Sequence, residues 1–351
     1  MLGLPPLPRN LNAALRDVSH PRRDVRFSAL RDLVRHSQSD ERRAVVDKLV
    51  EVLAGDQDLD LRAEAAMALA DADAREALEP LLFAAEEGTA RVRQMAVLAL
   101  GEVAPAGDRA TLSVLQTAWA AGEPAVRFQA LVALHHVSGD VVEKVLFEAM
   151  SDRDPEIRAM AYRISEERWP PEQSPPKHIV GAAEQGLRDS SATVRLCAAI
   201  LLANLGDRRG AKLLLEVAAG TLRAGSDADQ QAAIELCARL ELEGAMTALE
   251  RRAFGPFGLR NDSLAWHAHV ALARLGHFRS RQAILRGLRA WSRDARTLSV
   301  VAAGRAGLAE ALPIIFAMRG KTSRAAPEAV SQALAELGAV DAASGPDTLG
   351  G

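Results

Sequence analysis

The sequence predicts an all-α protein built as a stack of helical hairpins, and the main reason is a phrase that returns at regular intervals. Each copy has an apolar residue, Arg, two variable residues and then Ala, as in DVRFSAL at Asp24–Leu30. A period of 31 to 37 residues marks a stacked-repeat architecture. Aromatic residues make up only 4% of the chain, which disfavours a β-rich fold. The arginines of the six clear copies are Arg26, Arg62, Arg93, Arg127, Arg158 and Arg195.

Each copy of the phrase follows the period of an α-helix. With the Arg as position zero, apolar or small residues fall at −1, +3, +6 and +7, within an arc of roughly 100° on one helix face. In the third copy these residues are Val92, Ala96, Ala99 and Leu100. We therefore expect these four positions to form the buried side of one helix per repeat.

A second apolar helix precedes each phrase, for example over Arg109–Ala118. The turns between the two helices are rich in Gly, Asp and Pro, as at Asp152–Pro155, and such residues cap helix starts. Each repeat is thus predicted to be a helical hairpin. Weaker copies, with other residues at some Arg positions, extend the pattern to about ten hairpins and predict an α-α superhelix, an α-solenoid of right-handed twist. The later positions are Gln230, Ala265, Arg296 and Pro327.

The repeat resembles HEAT repeats, in particular the short bacterial kind related to the PBS-lyase HEAT-like repeat. Asp stands six residues before Arg in three copies, and the resemblance implies that such residues form a structural ladder between neighbouring repeats. Its members here are Asp56, Arg62, Asp152, Arg158, Asp189 and Arg195. The first, third and fourth repeats carry His20, Glu87 and Ala121 instead, so we expect the ladder to be interrupted there.

The chain is predicted to divide into two halves. An extended N-terminal segment (1–10) precedes a regular half (11–168), and a proline-rich break (169–178) leads to a divergent half (179–338) and a flexible tail (339–351). The break has two interpretations, a long loop between repeats or a hinge.

Charge is distributed unevenly along the chain despite a net charge of −3. Residues 51–250 are acidic, whereas residues 251–324 hold fourteen Lys and Arg against three Asp and Glu. A helix predicted from Ser280 to Trp291 concentrates part of this charge in a basic patch. The patch has three interpretations: a solvated face of an Arg-rich chain, a site for an acidic protein, or a site for nucleic acid or lipid. Its residues are Arg279, Arg281, Arg286, Arg289 and Arg293.

The HEAT resemblance also implies that the second helix of each hairpin lines a concave surface. Residues there that point away from the core are mostly apolar, so they are either buried between neighbouring helices or form a groove for a helix or extended peptide of a partner protein. With few cations along this surface, we consider nucleic acid an improbable ligand. The predicted groove residues are Phe27, Met67, Leu98, Phe128, Val132, His135, Arg163 and Trp266.

The sequence contains no motif of a catalytic or metal site. CxxC, HExxH, GxSxG and P-loop patterns are absent, and His267 and His269 point about 200° apart on one helix, so they cannot share a metal. We expect no cofactor and no catalysis, and we interpret the protein as an interaction scaffold or adaptor. The HEAT resemblance leaves two alternatives, a bilin-lyase-like enzyme or chaperone and a nucleic-acid or polyanion-binding protein.

The sequence is typical of a cytoplasmic protein. No stretch has the length and hydropathy of a membrane span, and the N-terminus lacks the pattern of a signal peptide. Cys197 and Cys237 occupy core-like positions in different repeats, as expected in a reducing compartment. The resemblance to the short bacterial repeats implies a bacterial source.

Overall fold

The structure is a computed structural model, and it describes residues 8–38, 40–137, 139, 141–170, 173–255, 264–321 and 324–338. Over these residues the chain forms twenty α-helices and two short 3-10 helices, with no β-strand. The predicted all-α fold of about ten helical hairpins is therefore confirmed. The hairpins fall into two compact units, unit 1 up to Arg168 and unit 2 from Trp169 onward.

Unit 1 contains five hairpins, each with a first and a second helix. They are α1 (Leu11–Asp17) with α2 (Arg23–Val34), α3 (Arg42–Gly55) with α4 (Leu59–Asp71), α5 (Leu78–Glu87) with α6 (Ala90–Val103), α7 (Arg109–Ala121) with α8 (Pro124–Val137), and α9 (Val141–Ala149) with α10 (Pro155–Arg168). Second helices pack on one another in order, from α2 to α10.

Unit 2 repeats the arrangement. Its hairpins are α11 (Lys177–Gly186) with α12 (Ala192–Asn204), α13 (Ala211–Ala218) with α14 (Asp227–Arg239), α15 (Ala245–Phe254) with α16 (Ala265–Arg274), α17 (Phe278–Gly287) with α18 (Arg293–Arg305), and α19 (Leu312–Phe316) with α20 (Pro327–Glu336). The second helices again pack in order, from α12 to α20.

The helical period of the repeated phrase selects the buried face. The predicted core positions Val92, Ala96, Ala99 and Leu100 are completely buried in α6, and the equivalent positions of α12 are buried in the same way. Small residues bring the second helices close together, since a Cβ added at Gly101 of α6 would lie 2.9 Å from Cα of Ala133 in α8. Each second helix is therefore held by apolar contacts with its own first helix and with its neighbours.

Polar residues at the turns begin the second helices, as their sequence predicts. The Asp58 carboxylate accepts hydrogen bonds from the backbone N–H groups at the start of α4, and Ser226 and Asp229 form a capping box at the start of α14. Pro124 and Pro155 are the first residues of α8 and α10, where a missing N–H costs nothing.

The boundary between the units coincides with the start of the proline-rich break. Helix α11 already begins at Lys177, two residues inside the segment predicted to interrupt the stack. Whether the break acts as a hinge stays a prediction. The predicted N-terminal extension lies largely, and the predicted tail wholly, outside the described residues.

Candidate functional site

The repeated arginines lie at the joints between hairpins. Arg127 of α8 donates to both carboxylate oxygens of Asp152, at 2.8 and 3.1 Å, and Asp152 precedes the next second helix. Arg26 of α2 forms the equivalent ion pair with Asp56, which precedes α4. Both pairs are largely withdrawn from solvent, with Asp152 only 11% exposed. These arginines thus connect neighbouring hairpins and do not face an open site.

Other predicted ladder residues hold the turn of their own hairpin. Arg62 Nε donates to the carbonyl oxygen of Leu53 at 2.7 Å. Arg158 Nη1 donates to the carbonyl of Asp152 at 2.8 Å, and Arg195 Nη1 donates to that of Asp189 at 2.7 Å. The guanidinium groups therefore satisfy carbonyl groups that a turn leaves without helical partners.

Asp152 is the carboxylate whose ionisation is tied most clearly to a joint. Burial by itself raises the pKa of Asp152, but the hydrogen bonds from Arg127 and from the N–H of Asp154 outweigh it and leave the pKa below its ordinary value. Asp152 is therefore ionised at neutral pH and matched by the guanidinium of Arg127.

The joint after the third hairpin lacks such a pair. Ala121 stands where Asp56 and Asp152 precede α4 and α10, and only Gly122 and Glu123 connect α7 to α8. A Cβ at Gly122 would collide with the carbonyl oxygen of Ala118, so this short turn has no room for a larger residue. Arg93 Nε is buried there without a hydrogen-bond partner among the described residues.

A row of apolar side chains lies on the second helices of unit 1, and we call it the unit 1 groove. All its members are half-buried, so each keeps part of its surface open to solvent. At one end a cavity of 470 Å³ is lined by Phe27, Met67 and Met95, with Arg23, Asp60, Glu64 and Arg91 at its rim. The groove consists of Phe27, Met67, Leu98, Phe128 and Val132.

Three of the four charged groups at the rim of this cavity lie in ion pairs, whereas the exposed Arg91 donates to the amide oxygen of Gln94 at 3.1 Å. Arg23 donates to Asp58 at 2.6 Å and also pairs with Asp60. Arg31 of α2 pairs with Glu64 of α4 at 2.9 Å. Because of the bond to Arg23, the pKa of Asp58 lies below its ordinary value. Apart from Arg91, the rim therefore presents closed ion pairs around an apolar floor.

His135 and Arg163 lie beyond the apolar row, on α8 and α10, and both are half-buried. Burial lowers the pKa of His135, although Glu167, whose Oε2 is 3.6 Å from its Nε2, opposes this shift. Nδ1 of His135 has no hydrogen-bond partner among the described residues. A neutral imidazole whose buried Nδ1 lacks a partner among the described residues thus marks this end of the surface.

In unit 2 the equivalent rows are partly core. Leu196 and Ile200 of α12 are 0% and 2% exposed, so these two residues are buried between neighbouring helices and do not form a groove. Trp266 of α16 is half-buried, with its ring 6.1 Å from that of His269. Unit 2 therefore lacks an apolar groove at α12.

The second helices of unit 2 instead form a polar cavity of 590 Å³ that sequence reasoning missed. Two Gln–Glu pairs flank it: Gln231 donates to Glu235 at 2.8 Å, and Gln332 donates to Glu336 at 2.9 Å. Burial lowers the pKa of His267, with Glu235 opposing and Arg305 adding to the shift. The Gln-x-x-x-Glu spacing shared by α14 and α20 was a usable signal. Further lining residues are Val270, Arg274 and Gly304.

The predicted basic patch does not form one face. Helix α17 ends at Gly287 rather than continuing to Trp291, so Arg289 and Arg293 are not on α17. Arg279 stacks over the ring of Phe254 at 4.3 Å, and Arg281 pairs with Glu310 at 2.6 Å. The patch therefore separates into engaged arginines and the exposed Arg286, Arg289 and Arg293.

Three neighbouring side chains of unit 2, Glu250, His277 and Ser280, are of the residue types that form a hydrolase triad. Glu250 Oε1 lies 3.0 Å from His277 Nε2, and His277 Nδ1 lies 3.0 Å from the hydroxyl of Ser280. Ser280 is completely buried, however, and His277 is the N-cap of α17, accepting a hydrogen bond from the Ser280 N–H. A substrate cannot reach this hydroxyl, so the arrangement serves the helix start.

The described residues contain neither a candidate metal site nor a helix that could span a membrane. No group of three His, Cys, Asp or Glu side chains there is placed to hold a metal ion. Among those residues, none of the helices has the length and apolar content that crossing a bilayer demands.

Comparison with solved structures returns repeat proteins of several kinds at low similarity. A complex of CpcE and CpcF of phycocyanin lyase from Nostoc sp. PCC7120 is 16% identical, with a TM-score of 0.43 over 72% of this chain and 96% of that one. A chain from a complex of Kap95p with RanGDP is 14% identical, with a TM-score of 0.47 over 93% of this chain and 51% of that one. The condensin Cnd3–Cnd2 subcomplex of S. pombe is 16% identical, with a TM-score of 0.43 over 93% of this chain and 54% of that one.

Comparison by sequence returns a family match over part of the chain. The chain has no match among curated proteins. The family model described as HEAT repeats matches residues 46–135, which run from α3 to α8. These residues contain three copies of the repeated phrase, at Arg62, Arg93 and Arg127, with their paired helices, and the same hairpin continues on both sides. The predicted resemblance is confirmed over residues 46–135, which match the HEAT-repeat family.

Proposed function

We propose that this protein is a non-catalytic scaffold that binds a partner protein in the unit 1 groove. The observation that supports it is the row of half-buried apolar side chains on successive second helices. Nearly all the core positions of these helices are buried, whereas the side chains of this row keep part of their apolar surface accessible. HEAT folds serve many purposes, and the proposal therefore rests on this surface rather than on the fold.

The chemistry of the groove favours one kind of ligand. Arg23 and Arg31 at its rim are engaged with carboxylates, so a phosphate backbone would have to break those ion pairs. An amphipathic helix needs only an apolar floor, on which residues spaced three and four apart make contact. We therefore propose an apolar-faced helical segment of another protein as the occupant.

The remaining interpretations gain little from the structure. The bilin-lyase and polyanion alternatives find no supporting residue in the groove. We propose a cytoplasmic location, supported by Cys197 and Cys237, which are buried and form no disulfide.

The proposal is tested with a display library of amphipathic helical peptides selected against the full chain. Affinities of the selected peptides are then measured by fluorescence anisotropy for the wild type and for Val132→Asp, which places a charge in the groove floor. We expect binding at least tenfold weaker in this variant, because a carboxylate would be desolvated under the peptide.

Phe83→Asp is the matched control, since Phe83 is 64% exposed on the first helix α5 and lies outside the groove. Its peptide affinity should equal that of the wild type. Peptides that bind Val132→Asp as tightly as the wild type would refute the groove. So would loss of the folded circular dichroism spectrum in Val132→Asp, since the side chain would then belong to the core.

A further inference from the structure

The turn between α17 and α18 exposes a tryptophan completely. Trp291 is 100% exposed, although tryptophan is a residue that folded chains usually cover. It follows Leu288, which is buried, and precedes Ser292, which caps α18. The indole therefore contributes no buried contact to unit 2.

The backbone that carries Trp291 is nevertheless held firmly. Arg296 Nη1 donates to the carbonyl oxygens of Ala290 and Trp291, at 2.7 and 2.8 Å. Arg158 makes the same two bonds to its own turn, to Asp152 and Arg153. The Trp291 turn is thus a standard turn of this repeat, fixed by the standard arginine.

Comparison with the other turns separates Trp291 from any structural role. The position five residues before the Arg is Arg153 before α10 and Ser190 before α12, and both are exposed. Neither needs an aromatic side chain to form the turn. The position six residues before the Arg is Ala290, so the turn that carries the tryptophan has no ladder aspartate.

Exposed cations occur next to Trp291 along the chain and on the described part of the connection between α19 and α20. The turn between α19 and α20 lies beside it, because Arg296 Nε donates to the carbonyl oxygen of Arg324 at 2.5 Å. The acidic residues nearby are Asp294 and Glu328, in the first turns of α18 and α20. We call the set of exposed cations the basic edge, and it comprises Arg286, Arg289, Arg293, Arg319, Lys321 and Arg324.

We infer that the basic edge, with Trp291 at its centre, docks the protein on an anionic phospholipid surface. Tryptophan favours the membrane–water interface, where its ring is buried and its N–H stays hydrated. Lysine and arginine are attracted to anionic headgroups within about a Debye length of the surface. An apolar insertion and a basic patch together are what stable peripheral binding requires.

The shape of the site favours a membrane over a peptide or a nucleic-acid strand. Strands and peptides are commonly gripped in grooves, and Trp291 projects from a turn at the end of its hairpin. A planar surface meets such a projection without a groove. The arginines that do line a cavity of unit 2, Arg274 and Arg305, lie elsewhere on its second helices.

The test is co-sedimentation of the full chain with vesicles of phosphatidylcholine containing about 30% phosphatidylserine, at low and high salt. We expect binding that pure phosphatidylcholine vesicles do not support and that falls as salt screens the charges. Arg289→Glu with Arg293→Glu should weaken binding by about 25-fold or more, and Trp291→Ala should weaken it by about tenfold. The wild type should also show a vesicle-induced blue shift of emission that Trp291→Phe lacks.

The charge-matched control is Arg274→Glu with Arg305→Glu, which removes two exposed arginines of the same unit away from the basic edge. This variant should bind the anionic vesicles as the wild type does. An equal loss of vesicle binding in the control would mean that binding depends only on net charge, and this result would overturn the inference. Absence of vesicle binding would overturn it as well, and binding of single-stranded RNA that depends on Trp291 would then assign the edge to nucleic acid.

Discussion

The two units are built from one hairpin but join their hairpins differently. In unit 1 the arginine of a second helix pairs with an aspartate of the next hairpin, as Arg127 does with Asp152. In unit 2 that position is occupied by Gln230, Ala265 and Pro327 in three of five hairpins. There a buried arginine of a first helix takes over, since Arg252 of α15 donates to the Val217 carbonyl of α13 at 2.9 Å.

The two units also differ in the side chains that their second helices expose. Five positions after the repeated Arg, unit 1 has the half-buried Met67, Leu98 and Val132, whereas Ile200 of unit 2 is 2% exposed. In unit 2, Ile200 of this row is packed into the core, whereas Val270 and Val301 are half-buried and Glu235 is exposed. The repeat thus sets which face is buried, and the residues between its fixed positions decide what each unit exposes.

The largest expected effect compares one repeat position in the two units. Ile200→Asp should destabilise unit 2 by about 4 kcal/mol or more, because an ionised carboxylate would be buried among apolar side chains. Val132→Asp should cost unit 1 only about 1 kcal/mol, because its side chain can reach solvent. Urea unfolding followed by circular dichroism measures both. Similar losses in the two variants would mean that the unit 1 row is core.

Sequence periodicity predicted the buried face well, since the spacing of Val92, Ala96 and Leu100 follows from the helical period alone. Sequence periodicity did not predict features that depend on helices from different hairpins. The polar cavity of unit 2 joins Gln231 of α14 to Glu336 of α20, which lie in different hairpins. The early end of α17 had a similar origin: a Cβ at Gly287 would collide with Ser299 of α18, so packing of the next helix determines where the chain turns.

A second prediction concerns the pH dependence of the unit 1 joint. Asp152→Asn should lower the free energy of unfolding by about 1–2 kcal/mol at neutral pH, because the charge-assisted bonds from Arg127 weaken. Since folding lowers the pKa of Asp152 below 3.8, its contribution is complete above that pH and is lost as the pH falls through the folded value.

The measurement is urea unfolding of the wild type and Asp152→Asn between about pH 7 and pH 2. The two stabilities should converge as the solution becomes acidic. A difference in the free energy of unfolding that stays constant with pH would contradict the assignment. It would show that the ion pair between Arg127 and Asp152 does not stabilise the joint.

The smallest effect is expected where the ladder of unit 1 is interrupted. Arg93 has no aspartate to meet, and its buried Nε lacks a partner among the described residues. Arg93→Met therefore removes an unsatisfied polar group, loses two long bonds from Nη2 to the carbonyls of Glu86 and Gly88, at 3.4 and 3.2 Å, and keeps the apolar stem. We expect stability within about 0.5 kcal/mol of the wild type. Arg127→Met is the matched comparison and should lose about 2 kcal/mol, because it leaves the Asp152 carboxylate largely buried without its cation. Equal losses in the two variants, measured by urea unfolding, would show that the repeated arginines stabilise unit 1 through their turn carbonyls and not through the aspartate.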